Sequence, residues 1–216
     1  MKRPELKVCG VNDAAFALRA ADGGVDYLGF VFEPSSPRAV SPADAAAIRR
    51  AVGPRVRCVG VFVRQGVEEI LSVMRAAGLD VVQLHRQAAD AEVRALKAAG
   101  FGVWRLDDGE GPDAGAADGL LVDRRDGART GGTGRLGDWS RARALAARGV
   151  FTILAGGLSA ENLAAAAATG VSVLDVNSSL EVAPGIKSLA RLDAVISRLA
   201  PLPPRGAPRT NGGFLI

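Results

Sequence analysis

DYLGFVFEPSSPRAVSPADAAAIRRAVGPRVRCVGVFV, residues 26–63, sets two apolar runs on either side of a stretch with explicit helix punctuation. The runs DYLGFVF (26–32) and VRCVGVFV (56–63) lack the polar alternation of a strand with one wet face, so each reads as a strand buried on both sides. Between them, Ser41 followed by Pro42 and Asp44 reads as an N-cap with proline at the first helical position. Strand, helix, strand in this order predicts a βαβ unit of a parallel sheet.

Working outward, the same alternation repeats along the chain. LKVCGV (6–11) precedes the quoted stretch, and DVVQLH (80–85), FGVWRL (101–106), GLLVD (119–123), FTIL (151–154) and VSVLDV (171–176) follow it, making eight runs in all. Gly23, Gly78, Gly100 and Gly170 are placed to close the intervening helices, and Ser159 to open one. The stretch DDGEGPDAGAAD (107–118) is too rich in Gly, Pro and Asp for a full helix, so the fifth crossover is expected to be degenerate. Eight βα units with almost no insertions predict a single compact (β/α)8 TIM barrel over 1–200, with an open doubly wound sheet as the rival arrangement. The Pro- and Gly-dense tail, 201–216, is expected to lie outside the barrel.

Composition narrows the function classes. The 216 residues are 48% hydrophobic and 23% charged, the profile of one globular domain, and the formal net charge of +4 is spread without a basic stripe for nucleic acid. No apolar run approaches the ~20 residues needed to span a bilayer, and MKRPELKVCG lacks the apolar core of a secretory signal, so a cytoplasmic protein without membrane contact is expected. Cys9 and Cys58 both fall in strand-like runs and are expected to be reduced.

Polar residues recur just after the ends of these runs: Cys9, Arg38, His85, Asp123, Gly156 with Gly157, and Asn177 with Ser178 and Ser179. In a (β/α)8 barrel the loops that follow the strands build the active site, so these residues should converge on one rim although far apart in sequence.

The segments KVCGV, LGFVFEPSSPRAVSP, VGVFV, VQLH, LLVD followed by GGTGRLGDW, LAGGLSAEN and DVNSSLEVAPGIK stand in an order and spacing that resembles the phosphoribosylanthranilate isomerase family, over roughly residues 6–200. That resemblance implies a cofactor-free Amadori rearrangement in tryptophan biosynthesis. The ring of a small anionic phosphosugar, phosphoribosyl anthranilate, opens, and a proton leaves the sugar's second carbon. No metal is implied, and the partner is the substrate alone, with a monomer or homodimer as the assembly.

The resemblance implies that Cys9 is the general base, which requires some thiolate near neutral pH, and that Asp123 is the general acid. Gly10 is expected to let substrate approach the backbone beside the thiol. Cys58 matches no such role and is read as a small core residue. Asp126 lies in the polar stretch RRDGART and is set aside in favour of Asp123. Arg38 is expected to grip the anthranilate carboxylate through its planar fork, and His85 to line the site without moving a proton. The phosphate is expected between Gly156 and Gly157 on one side and Asn177, Ser178 and Ser179 on the other, with a short helix start adding positive potential. Asp175 is expected to orient groups at the rim, and GGTG (131–134) to hinge a loop over the substrate.

Two positions depart from the family's pattern. Arg86 and Ser179 both stand where glycine is usual, so Arg86 is expected to perturb a turn or add charge at the mouth, and Ser179 to keep a phosphate donor. The alternatives are a catalytically silent phosphosugar-binding barrel and another phosphosugar isomerase on the same fold, and the Cys9 and Asp123 pair discriminates against both.

Overall fold

In the computed structural model, which describes residues 3–123 and 138–199, the eight runs close into a barrel. The strands are β1 (Glu5–Cys9), β2 (Tyr27–Val31), β3 (Arg57–Phe62), β4 (Val81–Leu84), β5 (Gly102–Leu106), β6 (Gly119–Val122), β7 (Thr152–Leu154) and β8 (Val173–Val176). Each pairs in parallel with its sequence neighbours, and β8 closes on β1 with Lys7 opposite Asp175. The barrel thus replaces the open sheet that remained the rival arrangement.

Alternation along β1 shows why these strands carry no wet face. Leu6 and Val8 pack outward among helix residues such as Phe16 and Leu192, while the opposite side of the same strand, with Lys7 and Cys9, faces the interior. Tyr27, Val59, Val81, Trp104, Leu121, Ile153 and Val173 fill the middle of the barrel as a packed core instead of a pore. Beneath them the Tyr27 hydroxyl donates to Glu5 over 2.8 Å and the Arg57 guanidinium lies 4.1 Å over the Tyr27 ring, which plugs the lower end.

The helices are α1 (Ala14–Asp22), α2 (Pro42–Val52), α3 (Val67–Ala77), α4 (Asp90–Ala98), α5 (Trp139–Ala147), α6 (Leu163–Ala167) and α7 (Leu189–Leu199). Ser41 caps α2 as its sequence predicts, its hydroxyl accepting from the Asp44 amide at 3.1 Å, and Pro42 begins the first turn. Gly78 ends α3 in the left-handed conformation, at φ 64°. Ser159 behaves differently from expectation. Its carbonyl accepts from the amides of Asn162 and Leu163 to open a turn, while its hydroxyl turns to Glu161, so α6 starts only at Leu163.

Between β5 and β6 there is no helix, in agreement with the Gly, Pro and Asp content of 107–118. This link is held by ion pairs instead. Arg141 of α5 grips both oxygens of Asp107, at 2.7 and 2.9 Å, and Lys97 of α4 lies 2.5 Å from Asp118. After β8, a single 3₁₀ turn (Ser178–Leu180) leads into a small hairpin, β9 (Glu181–Ala183) and β10 (Ile186–Lys187), which lies against the 33–38 link. No helix among the described residues is long and apolar enough to cross a membrane. Asp126, the GGTG segment and the 201–216 tail lie outside the described residues.

Candidate active site

Cys9 is the last residue of β1 and Asp123 the first after β6, so both stand where parallel strands end at the same rim. Cys9 is buried, and burial pushes its thiol above the ordinary value while the neighbouring Lys7 pulls it back down. Desolvation outweighs the electropositive surroundings, so the resting group is the thiol. Cys58, on the outward side of β3, is pushed up to about 12 by burial and is the core residue that the sequence implies.

Asp123 meets His85, the residue after β4, with Oδ2 3.0 Å from Nε2. Both side chains are half-buried, at 27% and 24% exposure for His85 and Asp123, which leaves them in reach of a ligand at the mouth. The His85 amide donates to the Phe62 carbonyl over 2.8 Å and so extends the β3 and β4 ladder by one residue, fixing where the ring emerges.

Asp175 is buried on β8, and its Oδ2 accepts from the Lys7 ammonium over 2.8 Å. Its other oxygen, Oδ1, is buried without a hydrogen-bond partner among the described residues. Lys7 has no exposed surface, and although burial opposes its charge, Asp175 and Cys9 together hold it above the usual lysine range. Sequence reasoning passed over Lys7. The signal was there, since a lysine two residues before Cys9 in an apolar strand must share its face.

Arg38, in the link between β2 and α2, is committed to a partner that the sequence did not reveal. Its Nε and Nη2 donate to the two carboxylate oxygens of Glu181, each over 2.7 Å, and Glu181 is itself buried in the small hairpin. A fork held by that edge keeps its Nη1 side for a second anion. Glu181 also accepts from Lys187 at 3.0 Å, and Lys187 donates to the Asn177 side-chain oxygen over 2.8 Å. Burial lowers the Lys187 ammonium and Arg38 lowers it further, against the attraction of Glu181.

Gly10 has a different use from the expected one. At φ 69° it turns the chain after Cys9, and a Cβ there would stand 2.8 Å from Cδ of Arg38 and 2.9 Å from Oδ1 of Asn177. The space above Gly10 belongs to these two side chains, so the glycine lets the β1, β2 and β8 loops interlock.

Gly156 and Gly157 follow β7 with φ of 85° and 71°, a conformation that few other residues adopt. Ser179 donates its hydroxyl to the Leu158 carbonyl over 2.6 Å, which ties the β8 loop to the β7 loop. It acts as a tether, so its hydroxyl is not the free donor that the sequence suggested. The expected helix start is only the 3₁₀ turn, in which Leu180 donates to Asn177. The amides of Gly156, Gly157, Ser178 and Ser179 make no hydrogen bond among the described residues. Arg86 turns toward α4, where its charge meets Glu92. Its fork is taken up by Glu92 and by the Gln65 carbonyl at 3.2 Å.

The likeness to known proteins runs the length of this barrel. The family model described as N-(5'phosphoribosyl)anthranilate (PRA) isomerase matches residues 6–198. The N-(5'-phosphoribosyl)anthranilate isomerase of Syntrophus aciditrophicus is 37% identical over 199 residues, covering 89% of this chain and 86% of that protein. The enzyme of the same name from Granulibacter bethesdensis is 37% identical over 202 residues, covering 89% and 96%. Among solved structures, phosphoribosyl anthranilate isomerase from Thermus thermophilus aligns with a TM-score of 0.81 at 38% identity, covering 91% of this chain and 98% of that one. A phosphoribosyl anthranilate isomerase in complex with reduced 1-(o-carboxyphenylamino)-1-deoxyribulose 5-phosphate aligns with a TM-score of 0.79 at 29% identity, covering 92% and 100%. With a family model matched from the first strand to the last helix and relatives alike over nearly the whole fold, the chain belongs to the N-(5'-phosphoribosyl)anthranilate isomerase family, the isomerases of tryptophan biosynthesis.

Proposed function

We propose that the substrate is N-(5'-phosphoribosyl)anthranilate, that Asp123 is the general acid and that Cys9 is the general base of its Amadori rearrangement. The observation that carries this reading is the pair of reactive groups at one strand-end rim, each with its own polar partner: Cys9 beside the Lys7 and Asp175 pair, and Asp123 against His85. In the first step Asp123 gives a proton to the ring oxygen, the bond from that oxygen to the first carbon breaks, and the nitrogen lone pair forms an imine. The Cys9 thiolate then takes the proton from the second carbon, and the resulting enol amine tautomerises to the ketose.

Binding follows from the remaining groups. The phosphate lies against the amides of Gly156, Gly157, Ser178 and Ser179, which make no hydrogen bond among the described residues, with Asn177 beside them. Asp175 Oδ1, a buried acceptor without a partner among the described residues, takes a hydrogen bond from a sugar hydroxyl. The free edge of Arg38 receives the anthranilate carboxylate. His85 lines the mouth beside the acid. Two reduced, buried thiols suit a cytoplasmic setting for this small-molecule enzyme.

Purified protein supplied with N-(5'-phosphoribosyl)anthranilate should convert it to the carboxyphenylamino deoxyribulose phosphate, with the conversion lost in Cys9→Ala and Asp123→Asn. Binding of the substrate by the folded protein without turnover would favour the silent barrel instead.

A further inference from the structure

A fully buried lysine inside a barrel needs a reason, because an ammonium without water is costly unless an opposite charge stands close by. Lys7 meets Asp175 at 2.8 Å, yet that pair alone does not account for its position in the strand. Lys7 and Cys9 project to the same side of β1, and both lean toward one point over β2. A Cβ placed on Gly29, the residue registered opposite Cys9, would stand 2.9 Å from Sγ of Cys9 and 3.0 Å from Nζ of Lys7. The two atoms are therefore at most about 6 Å apart, within the range over which an opposite charge favours ionisation of a thiol.

Resting on the assignment of Cys9 as the base, we propose that Lys7 is a positioning residue for Cys9: its buried ammonium, held in place by Asp175, is the counter-charge that stabilises the thiolate during proton abstraction. A carboxylate directly against the sulfur would oppose its ionisation. Asp175, registered opposite Lys7 on β8, fixes the ammonium over 2.8 Å and itself opposes the thiolate, but less than Lys7 favours it. Gly29 supplies the room, since any side chain there would separate the two groups or push them away. The remaining charges near the sulfur are Lys187 on the hairpin and Arg38 in the link after β2, both cationic but both engaged by Glu181, while Asp123 and His85 act on Asp175 from across the mouth. Burial of the thiol and the pull of Lys7 act on it in opposite directions, consistent with this division of labour.

The test separates this inference from the assignment of the base. In a Cys58→Ala background, the ultraviolet absorbance of the Cys9 thiolate is followed against pH, with and without Lys7→Gln. The expected result is a midpoint about one pH unit or more higher in Lys7→Gln, with kcat/KM near neutral pH reduced about tenfold or more and partly recovered at alkaline pH, as loss of a nearby opposite charge requires. An unmoved midpoint would overturn the proposal even if activity were lost, since a merely structural lysine lowers activity without moving the thiol. Should Lys7→Gln fail to fold, protein labelled at the lysine ε-carbons gives a second measurement. The Lys7 signal should shift at the pH at which Cys9 ionises, and that step should vanish in Cys9→Ala. A Lys7 signal indifferent to Cys9 would equally overturn it. Normal turnover in Cys9→Ala would instead remove Cys9 as the base while leaving the measured coupling intact.

Discussion

His85 Nε2 and Asp123 Oδ2 stand 3.0 Å apart, joining the ends of β4 and β6 across the intervening β5. A half-buried carboxyl group held 3.0 Å from an imidazole nitrogen is oriented at the mouth before any ligand arrives. Replacing it by an amide of the same shape removes the transferable proton and keeps most of the packing. Asp123→Asn should therefore lower turnover by roughly 10²-fold or more while the thermal transition stays cooperative. Turnover close to that of the parent protein would remove Asp123 from the acid role.

Cys9 makes a prediction with a definite sign in pH. Burial raises its pKa above the ordinary thiol value, and the active form of a base is the deprotonated one. Below that raised value the thiolate fraction grows with every unit of pH, so kcat/KM, which reports the free enzyme, should climb from neutral into alkaline solution. A profile that is flat or falling over that range contradicts a buried thiol as the base. Cys9→Ala should lose about 10²-fold or more at every pH within it.

Arg38 is already bound through one edge to Glu181, so its guanidinium is oriented before a carboxylate arrives. Arg38→Ala should chiefly raise KM, and Glu181→Gln should do so more weakly by weakening one side of the grip. If KM and kcat are both unchanged in Arg38→Ala, the anthranilate end is held elsewhere.

Gly185 turns the β9 to β10 hairpin at φ 81°, and a Cβ there would collide with the Pro37 carbonyl oxygen. Gly149 has the same φ of 81° but open space around it. Alanine should cost about 1–3 kcal/mol at each position from the strained backbone, with an added steric penalty only at Gly185. Chemical denaturation of the two variants checks this: equal losses would mean that the hairpin does not rest on the 33–38 link as closely as the structure implies.

Much of this was legible from local pattern. The eight strands show because a segment covered on both faces must be apolar throughout, and the missing fifth helix shows because Gly, Pro and Asp cannot sustain one. The cap at Ser41 shows because its partner is three residues away. Cys9, Asp123, His85 and Asp175 were each found at or near strand ends, whereas the partners of Asp175 and Arg38 were not. Lys7 and Asp175 are 168 residues apart, and Arg38 and Glu181 are 143 apart, so no periodicity links them.

By itself, then, the sequence pointed to eight βα units, to the strand ends at which reactive side chains gather and to the family they resemble, because burial and capping act over a few residues and leave their mark in residue order. Only the tertiary structure decided which charge faces which: that Lys7 stands beside the thiol, that Glu181 holds Arg38, and that Ser179 fastens one loop to another. Such pairings depend on closing β8 against β1 and folding the hairpin over the mouth, and a charge brought out of water is stable only where that closure supplies its partner.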